Sequence, residues 1–210
     1  APQPNELYVH AGPELAGALC SAIYRKHAGR LAGVFAEDAR AAENAFFVYY
    51  LYALDAAHGF ILVRVPVPAD RPELNSLTHA VPAANWQERE IQDLFGIRLA
   101  GHPNPRRCVL HDDWPEVFPL RKDFDLRTVL PPFTGPRHKL REVEGEGVFQ
   151  VPVGPVHAGI IEPGHFLFSV AGEPVLYLQL RMFYVHKGIE KLFEQLPIAH
   201  CVRLAESISG

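Results

Sequence analysis

The densest group of potentially reactive side chains lies in the last third of the chain, where a run of Gly and Pro separates apolar segments. It comprises His157, Glu162, His165, His186 and Glu190. Imidazole and carboxylate groups can hold a metal ion or move a proton, and loops at strand ends often carry binding residues. His186 and Glu190 are four residues apart and share one face of a predicted helix. Two interpretations stay open: surface or core histidines, which the spacing favours, or a free-standing metal-dependent enzyme.

A second charged group occupies little more than one helical turn between large apolar residues. Its members are Glu88, Arg89, Glu90 and Asp93. Arg89 and Asp93 have the i,i+4 spacing of a surface ion pair. Because arginine makes specific bidentate bonds when it is desolvated, we predict a structural role, in which these charges hold the helix against the segment 101–123.

A chelating pair is conceivable at Cys108 and His111, which are three residues apart with His102, Asp112 and Asp113 nearby. Zinc needs four ligands, or three and a water molecule, and no second pair with ligand spacing exists in this part of the sequence. A packed cysteine and an exposed histidine are therefore expected. The sequence contains no phosphate-binding glycine loop of the Walker or dinucleotide type.

Composition excludes several classes of protein. The 210 residues carry 20 Lys and Arg against 24 Asp and Glu, a net charge of −4, so no basic surface for nucleic acid or anionic membranes is expected. The longest apolar run, residues 45–54, is too short to span a bilayer. Three scattered cysteines predict a reducing, cytoplasmic compartment without disulfides. The chain starts at Ala1 and stops just after a helical pattern, which favours a processed start and a truncated end.

The elements that position these residues can be predicted from periodicity. Apolar residues every four positions predict a helix over 13–27, and two β-rich runs, 44–54 and 60–65, predict a hairpin that Pro66 and Pro68 end. A further helix is predicted over 82–95, with Gly96 as its stop.

The remainder of the chain divides at a Pro- and Gly-rich stretch. Residues 97–124 should wrap over other elements, with a short strand at 108–110, and residues 126–147 have the composition of a linker. Beyond the linker we predict a strand at 148–153, then a hairpin over 166–183, and then helical segments over 187–196 and 198–207. The predicted class is α+β: a domain over 1–125 with helices packed on a mixed sheet, a linker over 126–147, and a truncated second domain of hairpin and helix over 148–210.

The helical segment and the wrapping segment together resemble a known family. Residues 86–97 read WQEREIQDLFGI, and GHP at 101–103, RR at 106–107, DW at 113–114 and PLRKDF at 119–124 follow in order. This pattern is similar to the 30 kDa (C-type) family of respiratory complex I, and the resemblance covers about residues 5–125. The sequence departs from the family at Cys108, where an aliphatic residue is usual. The resemblance implies structural or interface roles for Glu88, Arg89, Glu90, Asp93, His102, Arg106, Arg107, Arg121 and Asp123.

The chain beyond the linker resembles the start of a second family. VGPVH at 153–157 and YVHKGIEKL at 184–192 look like the 49 kDa (D-type) family of complex I and the related large subunits of membrane-bound nickel–iron hydrogenases. AGIIEPGHF at 158–166 is closer to the formate hydrogenlyase-type members, in which C-like and D-like parts are fused. Ser209 falls on the first metal-binding cysteine of the hydrogenases, and hydroxyl is a poor ligand for soft metals. The loop histidine near the quinone in the 49 kDa family aligns with Ile161 and Glu162.

The two resemblances together imply a scaffold and assembly part of a complex I-like or hydrogenase-type NADH/quinone membrane oxidoreductase. The loop with His157, Glu162, His165, His186 and Glu190 would lie near a quinone or cluster. No cofactor is expected in this chain, with iron–sulfur clusters and quinone in partner subunits. Expected partners are a D-like subunit and other hydrophilic-arm subunits, and the isolated chain is expected to form homo-oligomers. The expected location is the cytoplasmic side of the membrane, peripherally and through the complex. A stand-alone interaction module is the remaining alternative.

Overall fold

The computed structural model describes residues 5–135 and 139–209, and it divides them between two compact units. The first unit extends to Arg107 and resumes over Phe118–Thr128, whereas the second comprises Cys108–Val117 and the chain from Val129 onward. Residues 108–117, which the sequence predicted within the first domain, belong to the second compact unit. The linker over 126–147 stays a prediction, and three of its residues, Pro136, Arg137 and His138, lie outside the described residues, as does Gly210.

The first unit is built on a four-stranded sheet with two main helices. Its elements are β1 (Glu6–His10), α1 (Pro13–Lys26), β2 (Arg30–Asp38), α2 (Arg40–Glu43), β3 (Ala45–Leu54), β4 (Gly59–Pro68), β5 (Glu73–Asn75), α3 (Asn85–Phe95) and β6 (Arg98–Ala100). The strand order is β1-β4-β3-β2, with β1 parallel to β4 and the other pairs antiparallel. Strands β5 and β6 form a separate parallel pair.

Alternating apolar residues give the sheet a buried face. Tyr50 and Tyr52 of β3 and Val63 and Val65 of β4 are buried there. Helix α1 buries Cys20 against Tyr52, and the pKa of the Tyr52 hydroxyl is raised by burial and by Cys20. The predicted helix over 13–27, the hairpin and the α+β class are therefore confirmed.

Of the two prolines predicted to end the second hairpin strand, Pro68 is its last residue, whereas Pro66 lies inside it, because β4 spans Gly59–Pro68. The carbonyl of Arg64 accepts from the N–H of Ala11, so even-numbered residues of β4 direct their backbone polar groups toward β1. Pairing with β1 stops at Arg64. Pro66 and Pro68 lack a backbone N–H, but that N–H would point to the side of β4 on which β1 has already ended. Both positions therefore tolerate proline.

The second unit contains a three-stranded antiparallel sheet and two short helices. Its elements are β7 (Val148–Val153), β8 (His165–Ala171), β9 (Val175–Arg181), α4 (Ile189–Phe193) and α5 (Ile198–Ala205), and the strand order is β7-β8-β9. The predicted strand and hairpin are confirmed, whereas the helix predicted over 187–196 spans only α4. On one face of the sheet, Gln179 of β9 exchanges two hydrogen bonds with the backbone of Arg141, at 2.7 and 2.8 Å.

The short strand predicted at 108–110 is wrong. A strand needs a neighbouring strand to pair with, and these residues instead lead into a turn in which the N–H of Trp114 donates to the carbonyl of His111 at 3.0 Å. Within the described residues, no helix combines the length and apolar character required to cross a bilayer.

Candidate functional site

Helix α3 carries the charged group predicted from the sequence, and its ends are well defined. It follows a single 3-10 turn at Pro82–Ala84 and ends at Gly96, which adopts the left-handed conformation with φ +70°. Ile91 and Leu94 pack into the core. The same helix also buries Glu88, Arg89 and Asp93, so these charges are not a solvated surface.

Glu88 is fully buried and accepts three hydrogen bonds from one short segment. The donors are the Ser76 hydroxyl at 2.5 Å, the Leu77 N–H at 2.7 Å and the Thr78 hydroxyl at 2.7 Å. Glu88 was predicted to hold the helix against residues 101–123. Its three hydrogen-bond donors belong instead to the loop that precedes the helix, although His102 Nε2, within the predicted segment, lies 3.9 Å from Glu88 Oε2. The carboxyl group thus provides the acceptors that a buried loop needs.

Arg89 fixes the segment that follows the helix. Its Nε and Nη2 donate to the carbonyl oxygens of Arg106 and Arg107, at 2.7 and 2.8 Å, and its guanidinium lies 4.8 Å from the ring centroid of Trp86. The sequence suggested an ion pair with Asp93, whereas these two donors serve backbone carbonyls 17 and 18 residues away. Arginine is suited to this role because its planar fork presents several donors at once.

Two more side chains hold the same segment. Gln92 Nε2 donates to the Pro105 carbonyl at 2.7 Å. His102 is buried; its Nδ1 accepts from the Asn104 N–H at 3.0 Å, so its Nε2 carries the proton and donates to the Asn85 carbonyl at 3.2 Å. These hydrogen bonds hold the segment 102–107 against the helix.

Other predicted residues of this group have different surroundings. Glu90 is half-buried and Asp93 is buried, and both make interactions within the structure. The exposed side chain of Arg106 donates through Nε to Asn104 Oδ1 at 3.0 Å. Arg107 takes part through its backbone carbonyl, which accepts from Arg89.

A buried carboxylate that sequence reasoning missed, Asp38, anchors the returning chain. Arg40 Nη2 donates to Asp38 at 2.7 Å and to Asp123 at 2.9 Å, and the N–H of Lys122 donates to Asp38 at 2.8 Å. Arg121 Nε donates to the Phe95 carbonyl at 2.7 Å. Burial by itself would raise the pKa of Asp38, but the hydrogen bonds from the Arg40 side chain and from two backbone N–H groups lower it to about 2.

One sequence signal could have revealed Asp38. It continues the buried alternation of β2, in which Val34 and Asp38 both face the core. A buried carboxylate in such a position requires a partner, which here is Arg40 two residues later. Arg40 in turn also binds Asp123. The pairing with residue 123 has no local signal, because 83 residues separate it from Arg40.

In the second unit, the described residues of the predicted histidine group do not form a three-ligand metal site. His157 Nε2 contacts the Gly164 carbonyl at 2.7 Å, and His165 lines a cleft of about 530 Å³. Glu162 and Glu190 are exposed, and His186 follows a 3-10 turn at Phe183–Val185. Across residues 5–135 and 139–209, no three His, Cys, Asp or Glu side chains come together as metal ligands would. The metal-dependent alternative therefore has no geometric support there.

The cleft of the second unit is lined by both polar and apolar side chains, and it contains an ion pair that the sequence did not predict. Arg181 Nε lies 3.2 Å from Asp112 Oδ2, joining the end of β9 to the segment 108–117. The cleft is lined by His111, Asp112, Asp113, Leu140, Gly154, Pro155, His165, Arg181, Phe183 and Tyr184. The two residues of the ion pair are 69 positions apart in sequence, so no motif links them.

The buried Cys20 does not act as a nucleophile. Cys20 is fully buried, and burial raises the pKa of its thiol to about 11, although the Tyr52 contact lowers it in part. The thiol is therefore protonated at neutral pH and behaves as an apolar core residue. All three cysteines are free.

Comparison with known proteins identifies the family. Residues 9–129 match the sequence profile of the family described as respiratory-chain NADH dehydrogenase, 30 Kd subunit. The match covers more than half of the chain and includes α3 and the segments that it holds. The chain therefore belongs to this family, which confirms the first resemblance drawn from residues 86–124.

Individual relatives extend the similarity past the family domain. Formate hydrogenlyase subunit 5 of Escherichia coli (strain K12) is 42% identical over 177 residues, which cover 82% of this chain and 31% of the relative. The C/D subunit of NADH-quinone oxidoreductase from Methylococcus capsulatus (strain ATCC 33009 / NCIMB 11132 / Bath) is 33% identical over 171 residues, or 70% of this chain and 28% of the relative. The chain spans about a third of the length of these curated relatives. The name of the second relative, a C/D subunit, supports the prediction of a C-like part joined to a D-like part.

A solved structure has a similar fold. One polypeptide of the membrane-bound sulfane sulfur reductase, an archaeal respiratory membrane complex, aligns with a TM-score of 0.55 and 20% sequence identity over 60% of this chain and 76% of that chain. At this identity the likeness concerns the fold alone.

Proposed function

We propose that this chain is a scaffold part of the hydrophilic arm of a complex I-like or hydrogenase-type membrane oxidoreductase. The observation that carries the proposal is the family match over residues 9–129, together with relatives named both as NADH-quinone oxidoreductase C/D subunits and as a formate hydrogenlyase subunit. Peripheral attachment at the cytoplasmic side of the membrane, through a D-like subunit and other arm subunits, follows from this assignment.

The use of charged residues in the first unit supports a scaffold role. Glu88, Arg89 and Asp38 are buried, and their hydrogen bonds go to loop backbone and to neighbouring side chains. A catalytic acid or base needs access to a substrate, whereas these groups face their own chain. They stabilise the fold of the first unit.

We further propose that the chain holds no redox cofactor of its own. Iron–sulfur clusters need several cysteine thiolates, and the three cysteines at 20, 108 and 201 are far apart in sequence. Ser209 at the position of a hydrogenase cysteine does not fit a nickel–iron centre. The clusters and the quinone site would belong to the partner subunits.

The assignment can be tested in the organism that produces the chain. A tagged chromosomal copy should be recovered from detergent-solubilised membranes in a particle much larger than 23.4 kDa. Mass spectrometry should identify iron–sulfur and membrane subunits in that particle. Recovery of the chain as a free protein, without these subunits, would contradict the proposal.

A second measurement tests the absence of cofactors. The purified chain should show no visible absorption band, no hydrogen uptake and no quinone reduction with NADH. One equivalent of zinc, iron or nickel that survives dialysis against a chelator would overturn this part of the proposal. The histidines between residues 157 and 186 would then be the first to mutate.

A further inference from the structure

One side chain of the second sheet binds the backbone of a segment that has no regular secondary structure. The segment comprises residues 139–141, and its exposed Arg141 lies against β9. The N–H of Arg141 donates to Gln179 Oε1 at 2.7 Å, and Gln179 Nε2 donates to the Arg141 carbonyl at 2.8 Å. A primary amide presents an acceptor and donors side by side, so Gln179 pairs with Arg141 as one residue of a neighbouring strand would.

The same face of β9 adds a third contact to Arg141. Tyr177 precedes Gln179 by two residues and therefore points to the same side of the sheet. Its ring centroid lies 4.6 Å from the Arg141 guanidinium. Gln179 is only 8% exposed, and a buried amide that loses its partners is costly. The fold therefore favours the segment in its bound position.

Leu140, the neighbour of Arg141, is part of the wall of the cleft in the second unit. This cleft of about 530 Å³ is also lined by His165 and Arg181. The peptide unit that joins Leu140 to Arg141 has a fixed length, so the position of Leu140 depends on the contacts of Arg141. Because these contacts converge on one exposed residue, and residues 139–141 belong to no helix or strand, the segment can separate without breaking the sheet.

We propose that residues 139–141 form a strap, which Gln179 fastens to the second sheet and which acts as a movable wall of the cleft. Gln179 is a positioning residue: it holds the strap, and the strap sets how far the cleft is open. In the closed state Arg141 is bound to Gln179 and Tyr177, and Leu140 lines the cleft. Release of Arg141 lets Leu140 move away and widens the entrance. This opening involves contacts within the second unit alone, so it stands whether or not the proposed function is correct.

Amide hydrogen exchange of the full chain, followed by nuclear magnetic resonance, tests the fastening. Gln179→Leu retains a side chain of similar size but removes both hydrogen bonds to Arg141. The exchange rate of the Arg141 amide should rise at least about tenfold, while the amides of β8, the central strand, keep their protection. Gln150→Leu, at an exposed position of β7, is the matched control and should change neither. Unchanged exchange at Arg141, or equal acceleration throughout β8, would overturn the proposal.

Trypsin cleavage provides a second measure of strap release. A protease binds an extended segment of chain, so cleavage after Arg141 requires the strap to leave the sheet. Gln179→Leu should accelerate cleavage after Arg141 about tenfold. Cleavage after Arg127, an exposed site in the first unit, should proceed at the same rate in both proteins. If the wild type is cleaved after Arg141 as fast as Gln179→Leu, Gln179 does not hold the strap and the proposal fails.

The movable wall is tested by the reaction of His165 with diethyl pyrocarbonate, quantified by peptide mass spectrometry. In Gln179→Leu the rate of His165 modification should rise at least about threefold, while the exposed His58 of the first unit reacts at the wild-type rate. Leu140→Ala, which removes part of the wall without releasing Arg141, should also accelerate His165 modification but leave the Arg141 amide protected. An unchanged rate at His165 in both variants would overturn the role of the strap as a wall of the cleft.

Discussion

At the scale of single residues, charged side chains in the first unit act on backbone groups of loops. Glu88 accepts from the loop at 76–78, and Arg89 donates to the carbonyls at 106 and 107. A loop that lies against a helix must find partners for its polar backbone, because an unpaired buried group is costly. These charges supply those partners, which explains their burial.

Arg89→Ala should destabilise the first unit clearly. The change leaves two carbonyls without their donors and removes the contact with Trp86, which together should cost about 2–3 kcal/mol. Thermal unfolding followed by circular dichroism should show a melting temperature lower by about 5–10 °C.

Arg106→Ala is the matched control for this change. It removes an exposed guanidinium but keeps the backbone carbonyl that Arg89 binds, so its melting temperature should stay close to that of the wild type. If Arg89→Ala melts like Arg106→Ala, the Arg89 hydrogen bonds do not stabilise the fold.

Asp38 should make stability depend on acid pH. Its pKa in the folded protein is about 2, below the ordinary value of 3.8, so the ionised form stabilises the fold above about pH 4. That contribution, about 2 kcal/mol, is lost as the pH falls from 4 toward 2. Urea unfolding between pH 2 and 6 should show a steeper loss of stability in the wild type than in Asp38→Asn.

Other carboxylates also titrate in this range, so the comparison between variants carries the test. Asp70→Asn, at an exposed position, serves as the control and should keep the wild-type slope. If the free energy of unfolding falls with pH in parallel for the wild type and Asp38→Asn, the bonds from Arg40 and Lys122 do not favour the ionised form of Asp38.

At the scale of elements, the end of α3 is fitted to the chain that returns across it. Gly96 ends the helix with φ +70°, and the N–H of Leu120 donates to the Leu94 carbonyl at 3.0 Å. A Cβ at Gly96 would lie 2.6 Å from the Phe118 ring and 2.7 Å from Arg121 Nη2. Glycine is thus required there both by conformation and by space.

Gly96→Ala should therefore destabilise the first unit by at least about 2 kcal/mol, measured by urea unfolding. Gly17→Ala is the control, because Gly17 lies inside α1 and a Cβ there has no neighbour within 4 Å. Alanine in a helix should stabilise it by about 0.5–1 kcal/mol. Equal effects of the two substitutions would contradict the role of Gly96.

At the scale of the whole molecule, the second unit leaves one sheet face exposed. The apolar sheet face consists of Phe149, Val151, Val153, Phe166, Phe168, Leu176, Leu178 and Leu180. Opposite-facing residues such as Ser169 and Gln179 are buried. Contiguous apolar faces of this kind mark interaction sites in folded proteins or cause association.

The isolated chain is expected to self-associate through this face or to exchange its β8–β9 hairpin. Light scattering at tens of micromolar should return a mass above that of a monomer. Leu178→Lys, which places a charge in the centre of the face, should shift the protein toward the monomer, and Val129→Ser should not. A monodisperse wild-type monomer would contradict this expectation.

Local pattern alone determined most elements and the family. The helical repeat over 13–27, the hairpin around residues 55–59, Gly96 as a helix end and the run WQEREIQDLFGI depend on neighbours within a few residues, so the sequence is sufficient to predict them. Helix and turn propensities act over this same short range, which is the reason that such predictions succeed.

The partners of the charged residues were decided only by tertiary structure. Arg40 meets Asp123 across 83 residues, and Arg181 meets Asp112 within the second unit, where residues 108–117 also belong. Nor does the spacing of the histidines between 157 and 186 show that, among the described residues, they form no three-ligand metal site. Pairings over such separations are set by how the sheets and helices pack, and packing leaves no periodic signal in the sequence.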